Sequence, residues 1–236
     1  MEKNYRGPDS RRVQEMFAGI AHRYDFLNHF LSLSIDRRWR KLAVVKLQEL
    51  MPVSSPRLCL DVCSGTGDLA LALNRGLGCA VVATDFCHPM LARANQKFEG
   101  QPVHNVEADA LRLPFADQSF DGLTIAFGLR NLEDPLVGLK EMRRVLKSGG
   151  GIVILEFSKP VLPVLKHGFN FYFRHVLPKV GGLISGSGAA YQYLPDSVSR
   201  FPAQDELLVL MGSAGFKDAG YDNLSGGISA LHWARA

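Results

Sequence analysis

Three aspartates surround one short glycine turn. Asp61 and Asp68 flank Ser64-Gly65-Thr66-Gly67, and Asp85 follows about 18 residues after Gly67. An apolar run from Leu58 to Cys63 leads into the turn, and a helix-forming series from Asp68 to Asn74 leads out of it. That is the pattern of a buried strand, a tight turn and a helix start. Gly65 and Gly67 allow backbone amides to approach a bound molecule closely, because no Cβ intervenes. The helix start adds unpaired N–H groups and a partial positive charge. The chemistry of this stretch is ligand binding. The spacing Gly65-x-Gly67-x-x-Ala70 also fits a permissive dinucleotide fingerprint. However, the next cation downstream is Arg75, and two carboxylates beside a pyrophosphate would repel it. They suit a ligand that carries an ammonium and a sulfonium, which describes S-adenosylmethionine (SAM). Asp85 ends a second β-run, Ala80 to Thr84, where a carboxylate can accept from both ribose hydroxyls.

A second group of polar residues, Arg130 and Asn131, follows an apolar run from Gly122 to Phe127. Open α/β sheets bind ligands at such strand ends. Arg130 can equally form a structural ion pair with Glu133 or Asp134. Tyr24 in Arg23-Tyr24-Asp25 can fix a ring through its hydroxyl or serve as a core aromatic. His22 and His29 are candidate bases by position, though surface or packing roles suit them better. Asp61 is expected to face an ammonium or the backbone of the glycine turn. Glu156 closes a fifth strand and either lines an acceptor pocket or makes structural hydrogen bonds.

These groups require a sheet to hold them. From Arg57 onward strands and helices alternate, which implies parallel pairing with right-handed crossovers. The expected strands are Leu58–Val62, Ala80–Asp85, Val103–Glu107, Gly122–Phe127 and Ile152–Leu155. Helices are expected over Met90–Phe98 and from Asp134-Pro135 through Leu146, the latter ended by Gly149-Gly150-Gly151. A closing helix, Gln204–Ala214, precedes an antiparallel hairpin of Phe216–Tyr221 and Ile228–Ala234. Ahead of the core, Phe17, Ile20, Ala21, Tyr24, Leu27 and Leu31 recur at helical spacing, read as one amphipathic helix. Asp36 is expected to cap a second helix that Pro52 stops. The expected class is α/β and Rossmann-like, a mostly parallel seven-stranded sheet with an antiparallel terminal strand. Residues 1–236 form one domain: a helical cover (10–52), a SAM-binding core (57–157), a lid insertion (158–203), then a helix and hairpin (204–236).

The insertion breaks the alternation. Leu165, Phe169, Tyr172, Phe173 and Val176 share one helical face, with Phe171, Tyr191, Tyr193 and a glycine-rich patch, Gly181 to Gly188, nearby. It reads as a lid over an apolar substrate, with Lys166, Arg174 and Lys179 toward anionic lipid. The chain has 236 residues, 47% of them hydrophobic, and a net charge of +4. That balance permits contact with an acidic membrane surface and gives no nucleic-acid signature. Glu2-Lys3 with no apolar run argues against a secretory leader, so a cytoplasmic protein, at most on the inner membrane face, is expected. Cys59, Cys63, Cys79 and Cys87 form no CxxC pair and no metal set, and read as reduced packing residues.

With these elements in place the chain resembles the ubiquinone/menaquinone biosynthesis C-methyltransferases. The strings FAGIAHRYDFLNHFLSLSIDRRWRKLA, LDVCSGTGDLA, FGLRNLEDP, LEFSKP, HVLPKVGGLISG, YQYLPDSVSRFP and GGISALHWA carry the resemblance, from about residue 12 to the C-terminus. It implies methyl transfer from SAM to a ring carbon of a prenylated quinol, with SAM contacts at Thr66, Asp85 and Asp109-Ala110. It also implies that Arg130 assists deprotonation of the quinol; a guanidinium, which stays protonated, suits a partner of the phenolate rather than a literal base. Ala126 replaces a serine common in the family, and Ser34 a glycine. The acceptor is a naphthoquinol or a benzoquinol, and a homodimer is permitted. Two other classes are a nicotinamide-dependent reductase and a non-catalytic SAM-binding scaffold.

Overall fold

The computed structural model describes residues 7–32, 34–51, 57–161, 168 and 188–236. Seven strands form one sheet in the order β3-β2-β1-β4-β5-β7-β6. They are β1 (Leu58–Val62), β2 (Ala80–Asp85), β3 (Val103–Glu107), β4 (Phe120–Ala126), β5 (Leu146–Phe157), β6 (Lys217–Leu224) and β7 (Ser229–Arg235). β7 runs antiparallel to both β5 and β6, and the other pairings are parallel. The expected class is the observed one.

Alternation along the strands divides the core into two layers. Leu60, Val62, Leu123, Ile125, Ile152 and Ile154 pack beneath α6 (Pro135–Val145) and α8 (Gln204–Ser213). Cys59, Val81, Ala83, Val153 and Leu155 face α3 (Ile35–Leu50), α4 (Asp68–Leu77) and α5 (His88–Phe98). Because both faces of β1 and β4 are covered, these strands read as nearly continuous apolar runs. The chain builds outward from β1 through β2 to β3, then crosses to β4 on the other side of β1. The connections leaving the C-terminal ends of β1 and β4 therefore run to opposite sides of the sheet and leave a crevice between them.

Three local expectations are corrected. The single N-terminal helix is two, α1 (Ser10–Ile20) and α2 (Tyr24–Leu31), because the chain turns over residues 21–23. Asp36 does not cap α3. Ser34 holds that position at φ 60°, while Asp36 is buried and receives the Ser32 hydroxyl at 2.7 Å and Arg40. Gly149-Gly150-Gly151 does not follow a helix but belongs to β5, whose ladder starts early. Leu146 pairs with Phe120, and Gly151 pairs with both Gly122 and Arg235. Asp134 does cap α6, accepting from the Val137 amide at 3.0 Å. Of the insertion, α7 (Gly188–Arg200) is described. The aromatic face of Leu165, Phe169, Tyr172, Phe173 and Val176 lies outside the described residues, as do Phe171, Lys166, Arg174, Lys179, Pro52 and the patch from Gly181 to residue 187.

Candidate functional site

A cavity of about 870 Å³, mouth included, opens at the ends of β1, β2, β3 and β4. Its floor is Cys63 and Gly65 after β1, Asp85 and Phe86 at β2, Ala108 to Leu111 after β3, and Ala126 to Gly128 after β4. Val13 and Phe17 of α1 and Tyr24 of α2 close it from above. Gly128 is required here: a Cβ would lie 2.4 Å from the Cβ of Cys63, so only glycine lets the ends of β1 and β4 approach.

Asp85 is the most firmly aimed carboxylate on the wall. The Gly65 amide donates to its Oδ2 at 2.8 Å and the Cys87 amide to its Oδ1 at 2.9 Å. Burial raises its pKa, and these amides draw it back down. Each oxygen keeps a lone pair for a further donor. Asp109 and Ala110 also line the cavity, with the Asp109 carboxylate turned on the Leu111 amide at 2.9 Å. Tyr24 lies over Gly65, and a Cβ there would meet its Cε1 at 3.9 Å. Burial raises the Tyr24 pKa above the ordinary tyrosine value, so its hydroxyl stays a neutral donor.

Other expected residues sit elsewhere. Asp61 is buried beneath the turn rather than on the cavity wall. The Thr124 hydroxyl donates to its Oδ1 at 2.6 Å, and the Ala70 amide in the first turn of α4 favours its charged form. Burial dominates nonetheless, pushing its pKa up to about 7. Thr66 turns its hydroxyl to Asp25 of α2. Gly67 starts α4 at φ 84°, where a Cβ would sit 2.3 Å from the Phe98 ring. Asp68 faces away from the cavity. It pairs with Lys97 at 2.7 Å and stands 3.5 Å from His29 Nε2 and 3.8 Å from Arg40. The cation absent from the local sequence thus arrives from α3 and α5. The cavity is acidic through residues other than the two that flank the turn. Asp85, Asp109 and Glu133 line the cavity, and among the described residues no lysine or arginine does.

Arg130 and Asn131 form one turn of 3₁₀ helix after β4 and point differently. Arg130 is buried, and its guanidinium meets Glu156 at 2.9 Å and the Phe127 carbonyl at 2.5 Å. Its ion-pair partner is therefore Glu156 of β5, not Glu133 or Asp134, and Glu156 is structural rather than pocket-lining. Glu133 instead accepts from the Ser10 amide at 2.9 Å. Asn131 reaches the cavity. Its Nδ2 donates to the Phe127 carbonyl at 3.1 Å and its Oδ1 accepts from the Tyr193 hydroxyl at 2.8 Å. His22 is exposed, and His29 sits between Asp36 and Asp68, so neither reaches the cavity.

Sequence reasoning missed Cys63, the α1 wall and Tyr193. Cys63 takes φ 53°, which its residue type does not signal, because positive φ is uncommon outside glycine. Nothing local marks Tyr193 as the partner of Asn131, 62 residues away.

Comparisons with known proteins identify the family. The model of the ubiE/COQ5 methyltransferase family matches residues 6–236. A demethylmenaquinone methyltransferase of Thermus thermophilus is 48% identical over 220 residues, covering 92% of this chain and 98% of that one. A ubiquinone/menaquinone biosynthesis C-methyltransferase UbiE of Geobacter sp. is 46% identical over 228 residues, covering 94% of each. Among solved structures, a SAM-dependent methyltransferase from Aquifex aeolicus shares the fold, with a TM-score of 0.58 at 19% identity over 81% of this chain and 88% of that one. With a family model spanning nearly every residue and relatives of almost equal length, the chain belongs to the ubiE/COQ5 methyltransferase family.

Proposed function

We propose that the cavity binds SAM and that the protein transfers its methyl group to a ring carbon of a prenylated quinol, converting demethylmenaquinol to menaquinol. The observation that carries this reading is the cavity itself: three carboxylates and no described lysine or arginine on walls whose apolar part includes Val13, Phe17, Phe127 and Leu132. Such a lining favours a cationic ligand over a pyrophosphate and an apolar ring beside it. Asp85 would accept from the ribose hydroxyls, Asp109 and Ala110 would flank the adenine, and the backbone at Cys63 and Gly65 would follow the methionine end. When bound, SAM supplies an electrophilic methyl on a positively charged sulfur.

The chain must then align an electron-rich carbon behind that methyl and stabilise the quinol oxygen as it loses its proton. Asn131 suits the second task. Its amide is held between the Phe127 carbonyl and the Tyr193 hydroxyl, which leaves one Nδ2 hydrogen for the quinol oxygen. Tyr24 offers a neutral hydroxyl from the opposite wall, and Phe17 and Phe127 exclude water around the ring. Arg130 acts through Glu156, fixing the turn that carries Asn131.

Calorimetry with SAM and turnover with demethylmenaquinol and with a 2-methoxy-6-polyprenyl-benzoquinol test the reading. SAM should bind, and Asp85→Ala should weaken it by roughly 2 kcal/mol, since both lost bonds are charge-assisted. Turnover should be greater on the naphthoquinol. An unchanged dissociation constant in Asp85→Ala overturns the site. Turnover confined to the benzoquinol overturns the choice of acceptor.

A further inference from the structure

We propose that the outward surface of α2 and α3 docks the protein on a lipid bilayer carrying anionic headgroups. The proposal deepens the reading of the cavity as a site for a prenylated quinol, but its first test is independent of that reading. Among the described residues, seven large apolar side chains are exposed, and four of them fall on these two helices. Phe26 is 60% exposed, Phe30 50%, Leu42 39% and Val45 52%. Phe26 and Phe30, one helical turn apart, stack on each other at 5.8 Å with their planes 13° apart. Single exposed apolar residues need no explanation, but a concentration of them marks a surface that something covers.

The charges identify what covers it. Arg37, Arg38 and Lys41 are exposed on α3. The acidic residues of the same stretch are withdrawn: Asp25 is held by Thr66 and Lys97, and Asp36 is buried under Ser32 and Arg40. Of the acids on these helices only Glu49 projects outward, at the far end of α3, where Lys46 meets it at 3.0 Å. Aromatic side chains flanked by cations, with carboxylates turned inward, suit a helix lying in the headgroup region of an anionic bilayer. A second copy of the chain suits the surface less well, because a two-fold contact would set Arg37, Arg38 and Lys41 against their own images. The placement also has a use. Tyr24, on the same helix as Phe26 and Phe30, is part of the cavity cover. A protein resting on α2 and α3 would hold that cover at the bilayer surface, so a ring could enter while its tail stayed in lipid.

The test is co-sedimentation of the full chain with phosphatidylcholine vesicles, with and without phosphatidylglycerol. The protein should bind the vesicles that contain phosphatidylglycerol, and binding should fall with salt. Phe26→Ser with Phe30→Ser, and separately Arg37→Glu with Arg38→Glu, should each weaken binding about tenfold or more. Melting temperature should hold, since all four side chains are exposed. If the parent does not bind these vesicles, or if both variants bind as the parent does, the proposal is overturned. Vesicle binding unchanged while sedimentation velocity shows loss of a dimer in the Phe26→Ser/Phe30→Ser variant overturns it in favour of a second copy. On a short-tailed, water-soluble quinol the variants should turn over as the parent does, and on a vesicle-embedded long-tailed quinol more slowly. Equal losses on both substrates place the defect in the cavity and overturn the docking role.

Discussion

Asp61 is a buried carboxylate whose pKa is pushed up to about 7 by burial, against the opposing hydrogen bond from Thr124. The folded state therefore holds a proton on Asp61 more tightly than the unfolded chain, where the value is about 3.8. Stability from this group is fully present below the unfolded value and is lost as pH rises through about 7. Asp61→Asn mimics the protonated form at every pH. Its melting temperature relative to the parent should rise between about pH 5 and about pH 8, measured by calorimetry without ligand. Parallel curves would sink this account. Asp85 on the cavity wall was legible because a strand, a glycine turn and a following strand lie within one stretch of sequence; the burial of Asp61 against Thr124 of β4 was not. Asp68 and Thr66 belong to the same stretch, yet their partners come from α2, α3 and α5, which no local spacing reveals. The same limit hid Glu156 as the partner of Arg130, 26 residues away on the neighbouring strand. Burial made Arg130 a brace for the turn and left Asn131 to face the cavity.

At the level of elements, the parallel strands were plain because burial on both faces writes an unbroken apolar run. The N-terminal helices were less so, since helical periodicity ran through the turn at residues 21–23 and concealed the break. That break matters, because it lets α1 and α2 fold over the cavity from two directions. The next junction, between α2 and α3, carries a measurable strain. Ser34 sits at φ 60° and ψ 14°, in the left-handed region, with no side-chain cap bond to offset it. That conformation costs a non-glycine residue about 1 kcal/mol or more, which gives a physical reason for glycine here. Ser34→Gly relieves the strain while adding freedom to the unfolded chain. A net gain of roughly 0.5 kcal/mol, or about 1–2 °C in a chain of this size, should follow. Calorimetry decides, and a lower melting temperature in Ser34→Gly would show that the junction is not strained.

Across the whole molecule, the sheet supplies a fixed floor and the N-terminal helices a cover tied down by few bonds. Gln14 of α1 reaches the Phe86 carbonyl at 2.7 Å, and Phe17 packs edge-on against Tyr24 at 5.9 Å. The strongest tether is ionic: Lys97 of α5 bridges Asp25 of α2 at 2.6 Å and Asp68 of α4 at 2.7 Å. Val13, Phe17 and Tyr24 lie over a bound ligand, so movement of this cover speeds its entry and release. Lys97→Met removes the bridge and sets Asp25 against Asp68, which keeps only Arg40 at 3.8 Å as a cationic neighbour besides His29. The bridge is partly solvated, which limits its worth to about 1 kcal/mol. SAM should therefore dissociate about threefold to fivefold faster, with little change in the rate of methyl transfer once substrate is bound. Added salt should narrow the gap, because it screens both the lost attraction and the new repulsion. Stopped-flow dissociation at low and high salt measures this directly. Identical off-rates in parent and variant at low salt would mean that the cover opens elsewhere, with Lys97 only joining α5 to α4.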